Sequence, residues 1–238
     1  MRLCSSAFLS ALAVVSGCFG VSEPAEPLVF GSSASFEVVP SNGVWDVEYG
    51  RTGDPANCSF TFFLRRLKDG VDVVVHARDD VTVADDCEPG AVTCPSWNDD
   101  SVHVYFDGDN DRAHDSRTDD ELHYGGEFAL VANGAAQSDN SSHPRSFGRE
   151  WTGDVAPATG QNGEKLLVYR MHFSWSCLGM SVPPRDDEDV TFGFNISLHD
   201  DDTGGRAQRA LYWKGDPKRP YSDESKFGAI TLKGRPAR

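Results

Sequence analysis

The chain has 238 residues and a formal net charge of −15, with 37 acids against 22 bases. That field repels phosphate backbones, which excludes nucleic acid as a partner and favours a neutral or cationic one. Hydrophobic residues make up 39% and charged residues 25%, a balance that excludes global disorder and suits one large core.

The N-terminus reads "MRLCSSAFLSALAVVSGCFG". One Arg precedes an apolar run of signal-peptide length, too short to span a bilayer. The run ends in Val15-Ser16-Gly17-Cys18, which resembles a bacterial lipobox with Cys18 as the acylated residue. Ordinary cleavage near Gly17 or Gly20 is the alternative. Residues 1–18 are therefore expected to be a signal peptide and residues 19–33 a tether, because "VSEPAEP" is polar and contains Pro. The expected product is a secreted or cell-envelope lipoprotein of bacterial type, touching a membrane only through its lipid.

From residue 34 to 238 alternation dominates. "VDVVVHA" sets Val71, Val73 and Val75 on one face, and "SVHVYF" sets Val102, Val104 and Phe106 opposite His103 and Tyr105. Leu167, Tyr169, Met171, Phe173 and Trp175 alternate, as do Phe192, Phe194, Ile196 and Leu198. This is the period of half-buried antiparallel strands, with Gly, Asp, Asn and Pro clusters between them. No helical period and no βαβ rhythm is present. The class is all-β, an antiparallel β-sandwich of about ten strands. Residues 133–164 are polar and Gly-rich and are expected to run outside the sandwich.

Four of the six cysteines, Cys58, Cys87, Cys94 and Cys177, remain after Cys4 leaves with the signal and Cys18 takes lipid. An even number in an oxidising compartment points to disulfides. Cys87 and Cys94 bracket a Pro/Gly loop and close most easily; Cys58 with Cys177 would then tie distant segments. Asp107, Asp109 and Asp111 form D-x-D-x-D, a spacing that lets carboxylates from one loop converge on a hard cation such as Ca²⁺. The EF-hand pattern fails, since Arg112 stands where its Gly belongs. The acids of "HDDDTGG" read as turn chemistry at a strand end. G-x-S-x-G and HExxH are absent, so no catalysis and no organic cofactor are expected.

Four segments occur in order: "WNDDSVHVYFDGDND", "FSWSCLG", "FGFNISLHDDDTGGRAQRALYW" and "YSDESKFGAITL". Together they resemble the family 9 carbohydrate-binding modules, a jelly-roll-like sandwich family related to DOMON domains. The resemblance implies a non-catalytic module, commonly appended to xylanases, that binds xylan- or glucan-type oligo- or polysaccharide between two aromatic rings. Trp97 matches the first ring and Tyr221 the second, where sugar binders of the family carry Trp. His103 replaces the family's acid in D-S-V-E, and Ser197 replaces its Gln in G-F-D-I-Q. These four residues form the expected ligand site, and some members of the family carry calcium. A monomer serving as accessory to a glycoside hydrolase is the expected form. Two other readings stay open: an extracellular protein-interaction module, and a DOMON-type haem-binding electron-transfer domain using Met171 and a distant His. Met171 and His172 themselves would face opposite sides of a strand.

Overall fold

The computed structural model describes residues 28–30, 33–46, 58–112, 125–139, 147–218 and 220–234. Cys18 and the rest of the expected signal lie outside them. In chain order the strands are β1 (Leu28–Phe30), β2 (Ser33–Val38), β3 (Val44–Trp45), β4 (Ser59–Arg66), β5 (Gly70–Arg78), β6 (Ser101–Asp107) and β7 (Gly125–Val131). There follow β8 (Ala136–Asp139), β9 (Trp151–Thr159), β10 (Lys165–Ser174), β11 (Val190–Asp200), β12 (Arg209–Tyr212) and β13 (Gly228–Leu232). Among the described residues no helix is long and apolar enough to cross a membrane.

Two sheets stack. The larger runs β1-β13-β11-β6-β7-β8, with β12 joining β11 to β3; the smaller runs β2-β4-β5-β10-β9. All pairs are antiparallel except β1 with β13. The alternation read from sequence sets the inward faces. Val71, Val73 and Val75 on β5 meet Val102, Val104 and Phe106 on β6 and Phe192, Phe194, Ile196 and Leu198 on β11 in one core. Aromatic side chains fill the space between the sheets. Trp151 lies parallel to Phe173 at 5.8 Å, and Phe106 meets Phe173 edge-on at 5.0 Å. Each such ring contributes roughly 1.5–3 kcal/mol by burial. Trp175 and Trp213 belong to this core, as does Met171.

Three expectations are corrected. The stretch 19–33 is not all tether, because the apolar triplet Leu28–Phe30 pairs in parallel with Ile230–Leu232. The stretch 133–164 is not outside the sandwich: it supplies β8 and β9. Among the described strands β9 pairs with β10 alone, so Pro157 sits on a sheet edge, where a missing amide hydrogen costs no ladder bond. Cys87 and Cys94 are bonded, but no disulfide joins Cys58 to Cys177. Cys58 precedes Ser59, which pairs with Arg78 at one end of β5, whereas Cys177 follows Ser174, which pairs with Gly70 at the other. Eight residue steps of β5 separate those ends by roughly 26 Å.

Candidate functional site

The outer face of the large sheet gathers the polar and aromatic side chains that alternate with the core. On β6 these are Ser101, His103, Tyr105 and Asp107. Strand register places His103 opposite Ser197 and Ser197 opposite Tyr212. Tyr105 lies between Asn195 on one side and Glu127 on the other.

A continuous hydrogen-bond network joins them. The Glu127 Oε1 accepts from His103 Nδ1 at 2.7 Å and from the Tyr105 hydroxyl at 3.0 Å. Ser101 Oγ donates to the Ser96 carbonyl at 2.7 Å, so it accepts from His103 Nε2, 3.0 Å away. Glu127 and Ser101 thus hold both ring nitrogens of His103 and fix the ring's orientation. His103 stacks on His199 at 4.2 Å. His199 Nδ1 donates to the Trp97 carbonyl at 3.3 Å, which leaves Nε2 to accept from the Tyr212 hydroxyl at 3.4 Å. Burial and the neighbouring His103 hold the His199 pKa well below the usual histidine value, so this ring is neutral.

Of the two expected platform residues, Tyr221 packs against this face and Trp97 reaches it through its main-chain carbonyl. Trp97, in the short 3-10 turn Ser96–Asn98, is 43% exposed. Tyr221 is half-buried and packs on the cluster of Tyr105, Ala210, Tyr212 and Phe227. Trp97 is tied to the network through His199, and Tyr221 packs on the same tyrosine cluster. His103 and Ser197 are buried side by side on β6 and β11, in the floor of this face. Glu127, Tyr212 and His199 complete that floor, and sequence reading missed them. Their signal is the register of β7 and β11 against β6 and of β12 against β11, which no single segment carries.

Two acidic centres flank the face. In the D-x-D-x-D loop, carboxylate oxygens of Asp107, Asp109 and Asp111 lie within 4.8 Å of one another. Asp107 is buried, its Oδ1 has no hydrogen-bond partner, and burial with the neighbouring Asp109 pushes its pKa to about 7. Gly193 stands opposite Asp107 across the sheet, and a Cβ there would come within 2.6 Å of the carboxylate. The second centre joins Asp79, Asp100 and Asp200 within the same 4.8 Å. Asp79 follows β5 in the small sheet, while Asp100 and Asp200 flank β6 and β11 in the large one. Burial and mutual repulsion raise the pKa of Asp79 and Asp100, and burial raises that of Asp200 to about 6. Asp200 Oδ2 accepts from Arg209 at 2.5 Å, but its buried Oδ1 has no partner. Crowded hard oxygens with an orphaned buried acceptor suit a divalent cation of the calcium type. Sequence reading took Asp200 for turn chemistry and gave Asp79 and Asp100 no role.

The sequence profile of the carbohydrate family 9 binding domain-like family matches residues 44–235. Among solved structures, a family 9 carbohydrate-binding module of Caldicellulosiruptor kristjanssonii in complex with cellotriose superposes with a TM-score of 0.54 at 16% identity, covering 87% of this chain and 93% of that one. A family 9 module of the same organism in complex with glucose gives 0.55 at 16% identity, covering 85% and 86%. No curated protein sequence matches the chain.

Proposed function

The chain belongs to the carbohydrate family 9 binding domain-like family, and from that premise we propose that it is a non-catalytic module that binds carbohydrate on the outer face of the large sheet. A sugar presents an apolar C–H face and a rim of hydroxyls. An aromatic ring covers the first, and fixed donors and acceptors satisfy the second. The observation that carries the reading is the buried His103–Glu127–Tyr105 network on one face, with Tyr221 packed on its tyrosine cluster and the exposed Trp97 joined to it through its main-chain carbonyl. The ligand class is xylan- or glucan-type oligo- or polysaccharide, in keeping with the cellotriose and glucose held by the similar modules. The module is a secreted or Cys18-lipidated monomer that holds polysaccharide for a glycoside hydrolase. Ca²⁺ bound by Asp79, Asp100 and Asp200, and by Asp107, Asp109 and Asp111, would neutralise their repulsion and fasten strand ends beside the site.

Calorimetry against xylo- and gluco-oligosaccharides tests this. Loss of one stacking ring is worth roughly 1–3 kcal/mol by comparison with base–aromatic contacts. Trp97→Ala should weaken binding about tenfold to a hundredfold. Tyr221→Trp should tighten it. Unchanged affinity in Trp97→Ala would remove the platform assignment.

A further inference from the structure

The outward face of the small sheet is a groove of about 880 Å³, on the side of the molecule opposite the face described above. It is built from three rows of side chains in register across the strands. Arg65, Asp72, His172 and Thr152 form one row. Ser35, Phe63, Val74, Arg170 and Asp154 form the next. Thr61, His76 and Val168 form the third.

The centre of the groove is apolar and carries a ring. Phe63 is 37% exposed, unusual for a Phe in the middle strands of a sheet, and lies 5.2 Å from the His76 ring, with Val74 opposite it in register. The flanks are charged but internally matched. Arg65 bonds Asp72 at 2.5 Å, and Asp72 also accepts from His172 at 2.9 Å. Arg170 bonds Asp154 at 3.1 Å. Arg78 reaches Glu164 at 3.6 Å at the end of an adjoining hollow of about 450 Å³, which shares Phe63 and His76.

We propose that this groove is a second binding site, and that its ligand is a neutral oligosaccharide. The three arginines are each matched by an acid and Glu37 is the one further acid among the described residues lining the two hollows, so little net charge is left to attract a polyanion or a polycation. Each ion pair nevertheless leaves guanidinium N–H groups and carboxylate lone pairs turned to the groove, where they can bond hydroxyls from both sides. Between them Phe63 offers a flat apolar surface to a sugar ring. The volume lies within the usual range for ligand sites, about 300–1,000 Å³. Five strands span about 19 Å, which suits a chain of several rings laid across the sheet. This site does not depend on the outer-face reading, since it shares no residue with it.

The experiment titrates the full chain with cellohexaose and with xylohexaose by calorimetry, alongside Phe63→Ala, Arg170→Gln, Trp97→Ala and the Phe63→Ala/Trp97→Ala double variant. Phe63 and Arg170 are exposed, so melting curves of those variants should match wild type. Two hexasaccharides should bind per chain. Phe63→Ala should weaken one class of site about tenfold or more. Arg170→Gln should weaken the same class, and Trp97→Ala the other. Binding that survives Trp97→Ala and vanishes in Phe63→Ala would uphold the groove even if the outer face binds nothing. Phe63→Ala and Arg170→Gln titrating like wild type, or no binding of either sugar by wild type, would overturn the proposal.

Discussion

Calcium should stabilise this protein through its buried acidic centre, and the size of the effect can be worked out. Two carboxylate charges 4.8 Å apart repel by about 3.5 kcal/mol at an effective dielectric of ~20. Any two of Asp79, Asp100 and Asp200 that ionise together repel in this way; burial and this repulsion raise the pKa of Asp79 and Asp100, and among the three Arg209 pairs directly only with Asp200. A cation that binds the folded chain and not the unfolded one adds about 2.7 kcal/mol at a hundred times its dissociation constant. For a domain of this size each kcal/mol moves Tm by about 2–4 °C, so saturating calcium should raise Tm by about 5–11 °C over chelated protein. The assay is differential scanning calorimetry with excess chelator and with excess calcium. Asp200→Asn removes one charge and the orphaned acceptor together, and should abolish most of the shift. Asp109→Asn, in the exposed loop, should leave most of it, because that loop does not bridge the two sheets. A wild-type Tm indifferent to calcium would refute the assignment of a stability-linked cation. A shift lost in Asp109→Asn and kept in Asp200→Asn would move the cation to the loop.

Three further outcomes are expected. Trp175 is buried, donates to the Lys68 carbonyl at 3.1 Å and lies under the Arg66 guanidinium, so Trp175→Ala should cost ~3–5 kcal/mol in denaturant titrations while leaving the outer-face side chains in place. His199 faces His103, Tyr212 and the Trp97 carbonyl and has its folded pKa depressed; the stability this gives is present above the unfolded value of 6.5 and is lost as pH falls below it. His199→Gln, which cannot titrate, should therefore lose less Tm than wild type between about pH 7 and about pH 5; identical slopes would exclude His199 as the titrating group. Non-reducing peptide mapping should recover the Cys87–Cys94 link and no Cys58–Cys177 link, and finding the latter would contradict the strand register of β5.

What could be read from sequence depended on whether the signal was local. β5 and β10 bury one face each, and β6 and β11, though buried on both, alternate apolar side chains with polar ones, so alternation announced all four. β9 lies at an edge, exposes Thr152 and Asp154, and carries Pro157, so its composition looks like a loop even though Trp151 is core. β1 is three residues long, below the length at which any period exists. Cysteine parity counts thiols but carries no geometry; the length of β5 keeps Cys58 from Cys177. Trp97 and Tyr221 were nominated by resemblance alone, since no local pattern singles them out. The Asp79–Asp100–Asp200 centre was not, because its members flank three strands from two sheets and converge only when the sheets stack.

The change at His103 gains its meaning from that register. By resemblance, a family 9 site would carry an acid at this position, and a histidine there would remove an acceptor from the floor. Here Glu127, on the neighbouring strand β7, lies within 2.7 Å of the His103 ring and holds the Tyr105 hydroxyl as well. A carboxylate thus remains on the floor, displaced by one strand and partnered by the His103 ring. An isolated buried carboxylate would be costly, whereas a matched pair with further hydrogen bonds is not. Glu127 is the more accessible partner, its side chain 21% exposed against 1% for His103. The acceptor that meets a bound hydroxyl under the proposed function is then Glu127, with His103 fixing its position from below. Glu127→Gln keeps the shape and removes the charge. It should weaken sugar binding and leave Trp97 in place, which separates the polar contribution of the floor from the stacking contribution of the ring.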